Sequence, residues 1–356
     1  MSKIQYIKIK SNDPKTRGIQ YGEQAEEKIV RGIKNYEKLF KETTSLTWED
    51  ILNNSKYYID YLEKEMPEYL DEAKGIAQGA NVSLEEIILL NCRYELTKFS
   101  SSNASTHECT TGAILSEASK DNDIFMIKNW DYKPGIVYNI VVIHIDNEDG
   151  TSILGTAEAG QLIRDGINSH GIGLANNNLK SKFDTPDIAI PSTFLRRKVL
   201  DAKSYDEALD IITTADRKVS VNMMLVSSED KAIDVEATPN QNDFVKPING
   251  ILTHANHFVI NPDISAKYSS DFMRDTRLRY LLGKFYKNID QFIIEEALKD
   301  HEFFPYSLCG HDSPKQENPM LGRMTVASMI FNLSKESLSV CIGNPCEGTF
   351  ETFYLK

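Results

Sequence analysis

The sequence predicts an α+β fold in which helices are layered on antiparallel sheets. The first hundred residues carry apolar side chains at helical spacing after one opening strand. The part of the chain after residue 109 consists mainly of short β-rich runs bounded by turn residues, and a helical block and closing strands follow them. Strands and helices that occur in blocks are typical of this fold class. A chain of 356 residues can bury a large apolar core without a disulfide or metal staple.

The N-terminal region, residues 1–108, is predicted to be mainly helical. Its two long amphipathic segments are "YGEQAEEKIVRGIKNYEKLF" and "SKYYIDYLEKEMPEYLDEAKGIAQGA", and Pro67 interrupts the second. A further helix, "SLEEIILLNCRYEL", begins with a capping box between Ser83 and Glu86. The small and polar residues of "KFSSSNASTHE" then predict an exposed loop that ends at Glu108.

Residues 109–356 are predicted to form a β-rich region. The strand-like runs include "FMIKNW", "NIVVIHI", "SILGTAEAG", "GIGLANNN", "VNMMLVSS" and "KAIDVEA". Helices are expected at "STFLRRKVL", "SYDEALDIITTA", "MRDTRLRYLLGKFYK" and "IDQFIIEEAL". The strands "MTVASMIFN" and "SLSVCIG" come next, and "TFETFYL" ends the chain. We therefore place the boundary between the two regions at Glu108 and Cys109.

Composition and charge exclude several classes of protein. The net charge of −12 argues against a nucleic-acid surface, because phosphate binding needs clustered Lys and Arg. No window approaches the roughly 18 apolar residues of a membrane span. The five cysteines are odd in number and irregularly spaced, without a CxxC pair, which argues against a disulfide framework and a zinc motif. Because the start "MSKIQYIKIK" has no apolar signal segment, we expect a reduced, cytoplasmic protein.

The histidine pair His254 and His257, in "HANH", was the strongest sequence candidate for a metal site. Histidines three positions apart can share a metal on a helix, but the surrounding residues indicate a strand end and a loop. No third ligand is apparent from the sequence. The sequence therefore implies no metal, and no motif in it implies an organic cofactor.

Cys109 is the candidate nucleophile. It stands between the predicted loop and the predicted strand of "CTTGAIL". A thiol with an ordinary pKa of about 8.5 is mostly protonated at neutral pH, so it needs a base. If the peptide bond before Cys109 were cleaved, the new α-amino group, with an ordinary pKa of about 8, would supply that base on the same residue. The junction between Glu108 and Cys109 is therefore a candidate site of self-cleavage.

Three further residues fit the remaining needs of such a mechanism. A carboxylate has to orient the thiol and the amine, and Asp131 in "KNWDY" lies at the end of the next predicted strand. The tetrahedral oxyanion needs neutral hydrogen-bond donors. Asn256 in "HANHF" and Asn178 in "NNN" each lie at the end of a predicted strand and can offer an amide N–H.

Taken in order, these motifs resemble the isopenicillin N acyltransferase family, also called the C45 peptidase-like family of N-terminal nucleophile hydrolases. The matching segments are "RGIQYGEQ", "NCRYE", "CTTGAIL", "KNWDY", "EAGQLIRDGINSHGIGLANNN", "THANHF", "FPYSLCG" and "CIGNP". The resemblance extends along most of the chain. It implies a four-layer αββα fold, autocatalytic cleavage before the cysteine, and attack of that cysteine on an amide.

The resemblance also implies roles for single residues. Cys109 would be the nucleophile, Asp131 would orient its amine, and Asn256 would be the side-chain oxyanion donor. Asn178 would be a second donor or a substrate contact. Substrate-binding or supporting roles are implied for three basic residues: Lys128, Arg164 and Arg323. Glu108 stands where the acyltransferase of the family has glycine.

The sequence as a whole predicts a cysteine N-terminal nucleophile amidase or acyltransferase. Its substrate would be a small linear amide or peptide-like molecule, attacked at a C–N bond to form a thioester acyl-enzyme. Two alternatives stay open: an acyl-CoA-dependent N-acyltransferase with an amine acceptor, and an unprocessed, non-catalytic ligand-binding homologue if Glu108 blocks maturation. The oligomeric state is also open, and a homo-oligomer is one option.

Overall fold

The computed structural model describes residues 4–97, 109–266, 272–312 and 318–356. Within these ranges the helices are α1 (Pro14–Thr43), α2 (Trp48–Glu65), α3 (Pro67–Gly79), α4 (Leu84–Thr97), α5 (Ser192–Val199), α6 (Tyr205–Thr214), α7 (Phe272–Gly283) and α8 (Gln291–Leu298). The interruption at Pro67 is confirmed, because α3 begins there. The capping box is also confirmed: Ser83 Oγ accepts from Glu86 N at 3.3 Å, and Ser83 N donates to Glu86 at 2.9 Å.

The strands follow the predicted runs closely. They are β1 (Gln5–Ile9), β2 (Thr110–Ile114), β3 (Phe125–Tyr132), β4 (Ile140–Asp146), β5 (Ser152–Glu158), β6 (Asp165–Asn168), β7 (Ile172–Asn178), β8 (Val221–Ser227), β9 (Lys231–Ala237), β10 (Asn242–Val245), β11 (Ile251–His254), β12 (Met324–Asn332), β13 (Ser337–Ile342) and β14 (Glu351–Tyr354). The sequence patterns did not predict β6 or β10. Each has only four residues, too few for an alternating pattern to stand out.

Two sheets organise the strands of the described residues. Eight strands form one sheet in the order β1-β4-β5-β6-β7-β8-β9-β10, and six form the other in the order β11-β2-β3-β12-β13-β14. Their named pairings are antiparallel except for β1 with β4, which is parallel. The N-terminal region therefore contributes a strand to the larger sheet as well as its helices.

The sheets lie face to face between two layers of helices. Strands β2 and β3 of the smaller sheet contact β7 of the larger one. Helix α7 packs on β2 and β11, where Leu278 joins Ile114 and Ile127 in an apolar cluster on the outer face of the smaller sheet. Helix α1 packs on β1, and α6 packs on β8 and β9. This arrangement confirms the predicted α+β class and its αββα layering.

Glycine allows α1 and α3 to pack backbone against backbone. A Cβ atom added to Gly18 would lie 2.7 Å from the Cα of Gly75, and one added to Gly75 would lie 2.8 Å from the Cα of Gly18. Contacts this short leave no room for a side chain at either position. The predicted motif "RGIQYGEQ" thus serves to pack the N-terminal helices together. None of the helices in the described ranges is long and apolar enough to cross a membrane.

Candidate active site

Cys109 directly precedes β2, an inner strand of the smaller sheet. Strand β2 pairs with β11 on one side and with β3 on the other, and all five of its residues are buried. Cys109 itself is only 5% exposed, and its Sγ lies 4.0 Å from the backbone oxygen of Asp131. The strand that follows Cys109 is therefore rigidly held, as the sequence predicted. Glu108 lies outside the described residues.

The carboxylate of Asp131 is buried and surrounded by donors. Thr325 Oγ1 donates to it at 2.6 Å, and Arg323 donates at 3.1 Å. The guanidinium of Arg274 lies 3.6 Å from the same carboxylate. Burial raises the pKa of Asp131 above its ordinary value, while Arg323 and Arg274 act in the opposite direction. These contacts hold the carboxylate in one position beside Cys109.

Arg274 connects the candidate nucleophile with the candidate oxyanion donor. It donates to the backbone oxygen of Cys109 at 2.8 Å and to Thr110 Oγ1 at 3.1 Å. It also donates to Oδ1 of Asn256 at 3.2 Å. The sequence did not predict a role for Arg274, because one arginine among several in the helical segment "MRDTRLRY" gives no signal of its position in the fold. It also did not predict one for Thr325, a buried threonine of β12.

Asn256 and Asn178 lie side by side. Asn256 Nδ2 donates to the backbone oxygen of Asn178 at 2.8 Å. Since a guanidinium can only donate, the contact with Arg274 fixes Oδ1 of Asn256 as the acceptor and its Nδ2 as the donor. An amide nitrogen carries two hydrogens, and within the described ranges only one of those of Asn256 is used, so the other is available to an oxyanion. Asn178 takes part in this contact through its backbone and not its side chain.

Lys128 is fully buried and paired with a carboxylate of the larger sheet. Its Nζ lies 2.9 Å from Asp165 Oδ2 and 3.4 Å from Asn176 Oδ1. Burial lowers the pKa of Lys128, and Asp165 opposes that effect. Burial also raises the pKa of the Cys109 thiol, and the positive charge of Lys128 acts against this rise. Lys128 therefore favours the thiolate form of Cys109 without touching it.

Arg164 faces the same cleft as Cys109. This small cleft is lined by Tyr94, Glu95, Cys109, Arg164, Asn176, Asn178, Ser192, Val219, Ser220 and Val221. The guanidinium of Arg164 stacks over the Trp130 ring at 4.3 Å and donates to Gln161 at 2.9 Å. Its Nε is buried and lies 3.8 Å from Asp165 Oδ2, the carboxylate that also pairs with Lys128.

The structure thus brings the seven sequence-predicted site residues in its described ranges into one region. They are Cys109, Lys128, Asp131, Arg164, Asn178, Asn256 and Arg323. In the histidine pair, His254 ends β11, and its ring stacks on that of His257 with the ring centroids 5.5 Å apart. Both ring nitrogens of His254 are occupied, by Glu236 Oε1 at 2.9 Å and by the Ala255 carbonyl at 2.6 Å.

Comparison with known proteins identifies the family. The model of the family described as "Acyl-coenzyme A:6-aminopenicillanic acid acyl-transferase" matches residues 118–347. A curated relative, the acyl-coenzyme A:6-aminopenicillanic-acid-acyltransferase 40 kDa form of Emericella nidulans, is 24% identical over 347 residues, which cover 96% of this chain and 93% of the relative.

Two solved structures also match part of this chain. A variant of the conjugated bile acid hydrolase from Clostridium perfringens is 15% identical, with a TM-score of 0.48, and the match covers 69% of this chain and 97% of the hydrolase. The Caenorhabditis elegans ortholog of N-acylethanolamine-hydrolyzing acid amidase is 15% identical, with a TM-score of 0.45 and coverage of 64% and 93%. Because the family model matches well over half of the sequence, the predicted resemblance is confirmed, and the chain belongs to the acyl-coenzyme A:6-aminopenicillanic acid acyl-transferase family of enzymes.

Proposed function

We propose that this protein is a cysteine N-terminal nucleophile amidase or acyltransferase, which cleaves its own chain between Glu108 and Cys109. The observation that carries the proposal is the position of Cys109: it lines a cleft at the start of a buried strand, its Sγ lies 4.0 Å from the backbone oxygen of Asp131, and Arg274 joins its backbone to Asn256. Residues 1–108 would become the α chain and residues 109–356 the β chain. The shared apolar core of α1–α4 and the larger sheet would keep the two chains together after cleavage.

The first half of the reaction forms a thioester. The α-amino group of Cys109 takes the thiol proton, and the sulfur attacks the carbonyl carbon of the amide substrate. The oxygen becomes an oxyanion, which the remaining N–H of Asn256 stabilises. The C–N bond then breaks as the ammonium group of Cys109 returns its proton to the leaving nitrogen. Asp131 would hold that ammonium group in place.

The second half of the reaction removes the acyl group. The Cys109 amine takes a proton from water, and the resulting hydroxide attacks the thioester carbonyl. The C–S bond breaks, the thiolate regains the proton, and the carboxylic acid leaves. If an amine replaces water, the same steps transfer the acyl group to that amine.

An acyl-CoA-dependent N-acyltransferase is the second candidate function. The description of the matching family and the name of the relative from Emericella nidulans favour it, because both name an acyl-coenzyme A substrate. Incubation with an acyl-CoA and a primary amine would distinguish the two functions. Amide formation that exceeds acyl-CoA hydrolysis favours the transferase, and amide hydrolysis without transfer favours the amidase.

Intact-mass measurement with N-terminal sequencing tests the proposal directly. The wild-type protein is expected to give two chains, one of which begins at Cys109, whereas Cys109→Ala is expected to remain a single chain. Cys92→Ala is the matched control, because Cys92 is also a buried free cysteine but lies in α4. An active wild-type protein that stays a single chain would overturn the proposed mechanism. An inactive single chain that ligands stabilise against heating would instead support the non-catalytic binding homologue.

A further inference from the structure

Two histidines and two cysteines converge outside the candidate active site. Three of them lie in the segment that follows α8, and the fourth lies in the connection between β13 and β14. Each offers one ligand atom, and the four atoms lie within 4.8 Å of one another; the residues are His301, Cys309, His311 and Cys346. The proposed reaction uses none of them.

Four of the six distances between these atoms are close to the edges of a tetrahedral metal site. The two sulfurs are 3.5 Å apart, and the two Nε2 atoms are 3.0 Å apart. Nε2 of His311 lies 3.6 Å from the sulfur of Cys309 and 3.3 Å from that of Cys346. A zinc tetrahedron with bonds of about 2.0 to 2.3 Å has edges of about 3.3 to 3.8 Å, so these four edges agree with it to within about 0.4 Å.

A disulfide does not account for the cluster. The Cys309 and Cys346 sulfurs are too far apart for an S–S bond, which measures about 2.05 Å, and both cysteines are free. A disulfide would also leave the convergence of two histidine nitrogens on the same point unexplained. Two thiolates and two imidazoles are the donor set of structural zinc sites.

We propose that His301, Cys309, His311 and Cys346 bind a Zn²⁺ ion in a closed, structural site. Four protein ligands complete the tetrahedron and leave no position for a water molecule or a substrate. The metal would therefore hold two distant parts of the chain together and would take no part in acyl transfer. This proposal does not depend on the role of Cys109.

The site is connected to Asp131 through Gly310, the residue that follows Cys309. Gly310 N donates to Thr325 Oγ1 at 2.8 Å, and Thr325 N donates to the Gly310 carbonyl at 2.8 Å. Thr325 Oγ1 in turn donates to Asp131 at 2.6 Å. By fixing Cys309, the metal would fix Gly310 and so the threonine that holds the carboxylate of Asp131.

The metal content of the protein tests the proposal. The full chain is produced without a histidine tag and purified under reducing conditions without chelators, and its zinc is measured by mass spectrometry. We expect one zinc ion per chain, and loss of this zinc in the Cys309→Ser/Cys346→Ser double variant. The control variants Cys92→Ala and His170→Gln, which change a cysteine and a histidine outside the cluster, are expected to keep their zinc.

Cobalt substitution decides the question even if the double variant does not fold. Co²⁺ bound to the wild-type protein is expected to show the intense visible bands of a tetrahedral site and a thiolate-to-metal charge-transfer band. A folded, reduced wild-type protein that takes up neither Zn²⁺ nor Co²⁺ would overturn the proposal. Full zinc content in the folded double variant would overturn it as well. Because these measurements do not use activity, they are independent of whether Cys109 is the nucleophile.

Discussion

Arg274 donates a hydrogen bond of 2.8 Å to the backbone carbonyl of Cys109, although the two residues are 165 positions apart. The same guanidinium binds Oδ1 of Asn256 at 3.2 Å and lies 3.6 Å from Asp131. One buried side chain therefore fixes the candidate nucleophile, the candidate oxyanion donor and the candidate orienting carboxylate relative to each other. We class Arg274 as a positioning residue, because it acts through these three groups.

Replacement of Arg274 by methionine is expected to affect both stability and catalysis. The variant leaves the Cys109 carbonyl and Asn256 Oδ1 without their donor, so we expect the free energy of unfolding to fall by about 3 to 5 kcal/mol. We also expect kcat to fall more than KM rises, because Asn256 loses its fixed orientation. Urea unfolding and steady-state kinetics measure the two effects.

Arg279→Met is the control for this variant. Arg279 lies on the same helix, but its guanidinium donates to the Ile251 carbonyl, away from Cys109. Loss of this hydrogen bond is expected to lower the free energy of unfolding by about 1 kcal/mol and to leave kcat unchanged. Equal effects of the two substitutions on stability and on kcat would contradict a positioning role for Arg274.

The alanine variants of Asn256 and Asn178 are expected to differ sharply in kcat. Asn256 offers a side-chain N–H to the oxyanion, so Asn256→Ala should lower kcat by about 100- to 1,000-fold with little change in KM. Asn178 binds its neighbour through a backbone carbonyl, which Asn178→Ala retains, so kcat should change much less. Comparable losses of kcat in the two variants would show that the oxyanion is not held as proposed.

Lys128 is expected to set the acid limb of the pH–rate profile. Its positive charge acts against the burial that raises the pKa of the Cys109 thiol. Lys128→Met removes that charge, so the thiol pKa should rise further. The pKa of the Cys109 amine, the proposed base, should rise for the same reason, so the acid limb of kcat/KM should move to higher pH. Lys128→Arg keeps the charge and should leave the limb near its wild-type position. A limb that does not move in Lys128→Met would rule out this electrostatic role.

His254 is expected to make the stability of the protein depend on pH. Burial lowers its pKa, but Asp234 and Glu236 outweigh burial and raise it from 6.5 to about 9. The folded protein therefore holds a proton that the unfolded chain releases at lower pH. The stabilisation is complete below about pH 6.5 and is lost as the pH rises through about 9.

Urea unfolding at a series of pH values from 6 to 10 would measure this dependence in roughly half-unit steps. Glu236→Gln weakens the charge that holds the proton, so the free energy of unfolding should fall less steeply with pH. His170→Gln, which changes an exposed histidine, should keep the wild-type slope. A wild-type stability that rises between pH 6.5 and 9 would contradict the assignment of the raised pKa.

Local sequence patterns were enough to determine most of the secondary structure and to indicate Cys109 as the candidate nucleophile. Pro67 and the Ser83–Glu86 capping box mark helix ends, because caps and proline act over a few residues. The order of short motifs around Cys109 also identified the family. Strands as short as β6 gave no usable pattern, since four residues hold too few alternations.

Only the tertiary structure determined which distant residues meet. Arg274 reaches Cys109 because α7 packs on β2 and β11. The residues around Arg274 in the sequence do not predict that contact. Cys346 meets Cys309 and His311 across 37 and 35 positions, so the four-ligand cluster matches no short metal motif. The sequence by itself determined most of the elements and indicated Cys109 as the candidate reactive residue. The packing of those elements decided what surrounds that residue, because such contacts depend on the arrangement of whole sheets and helices.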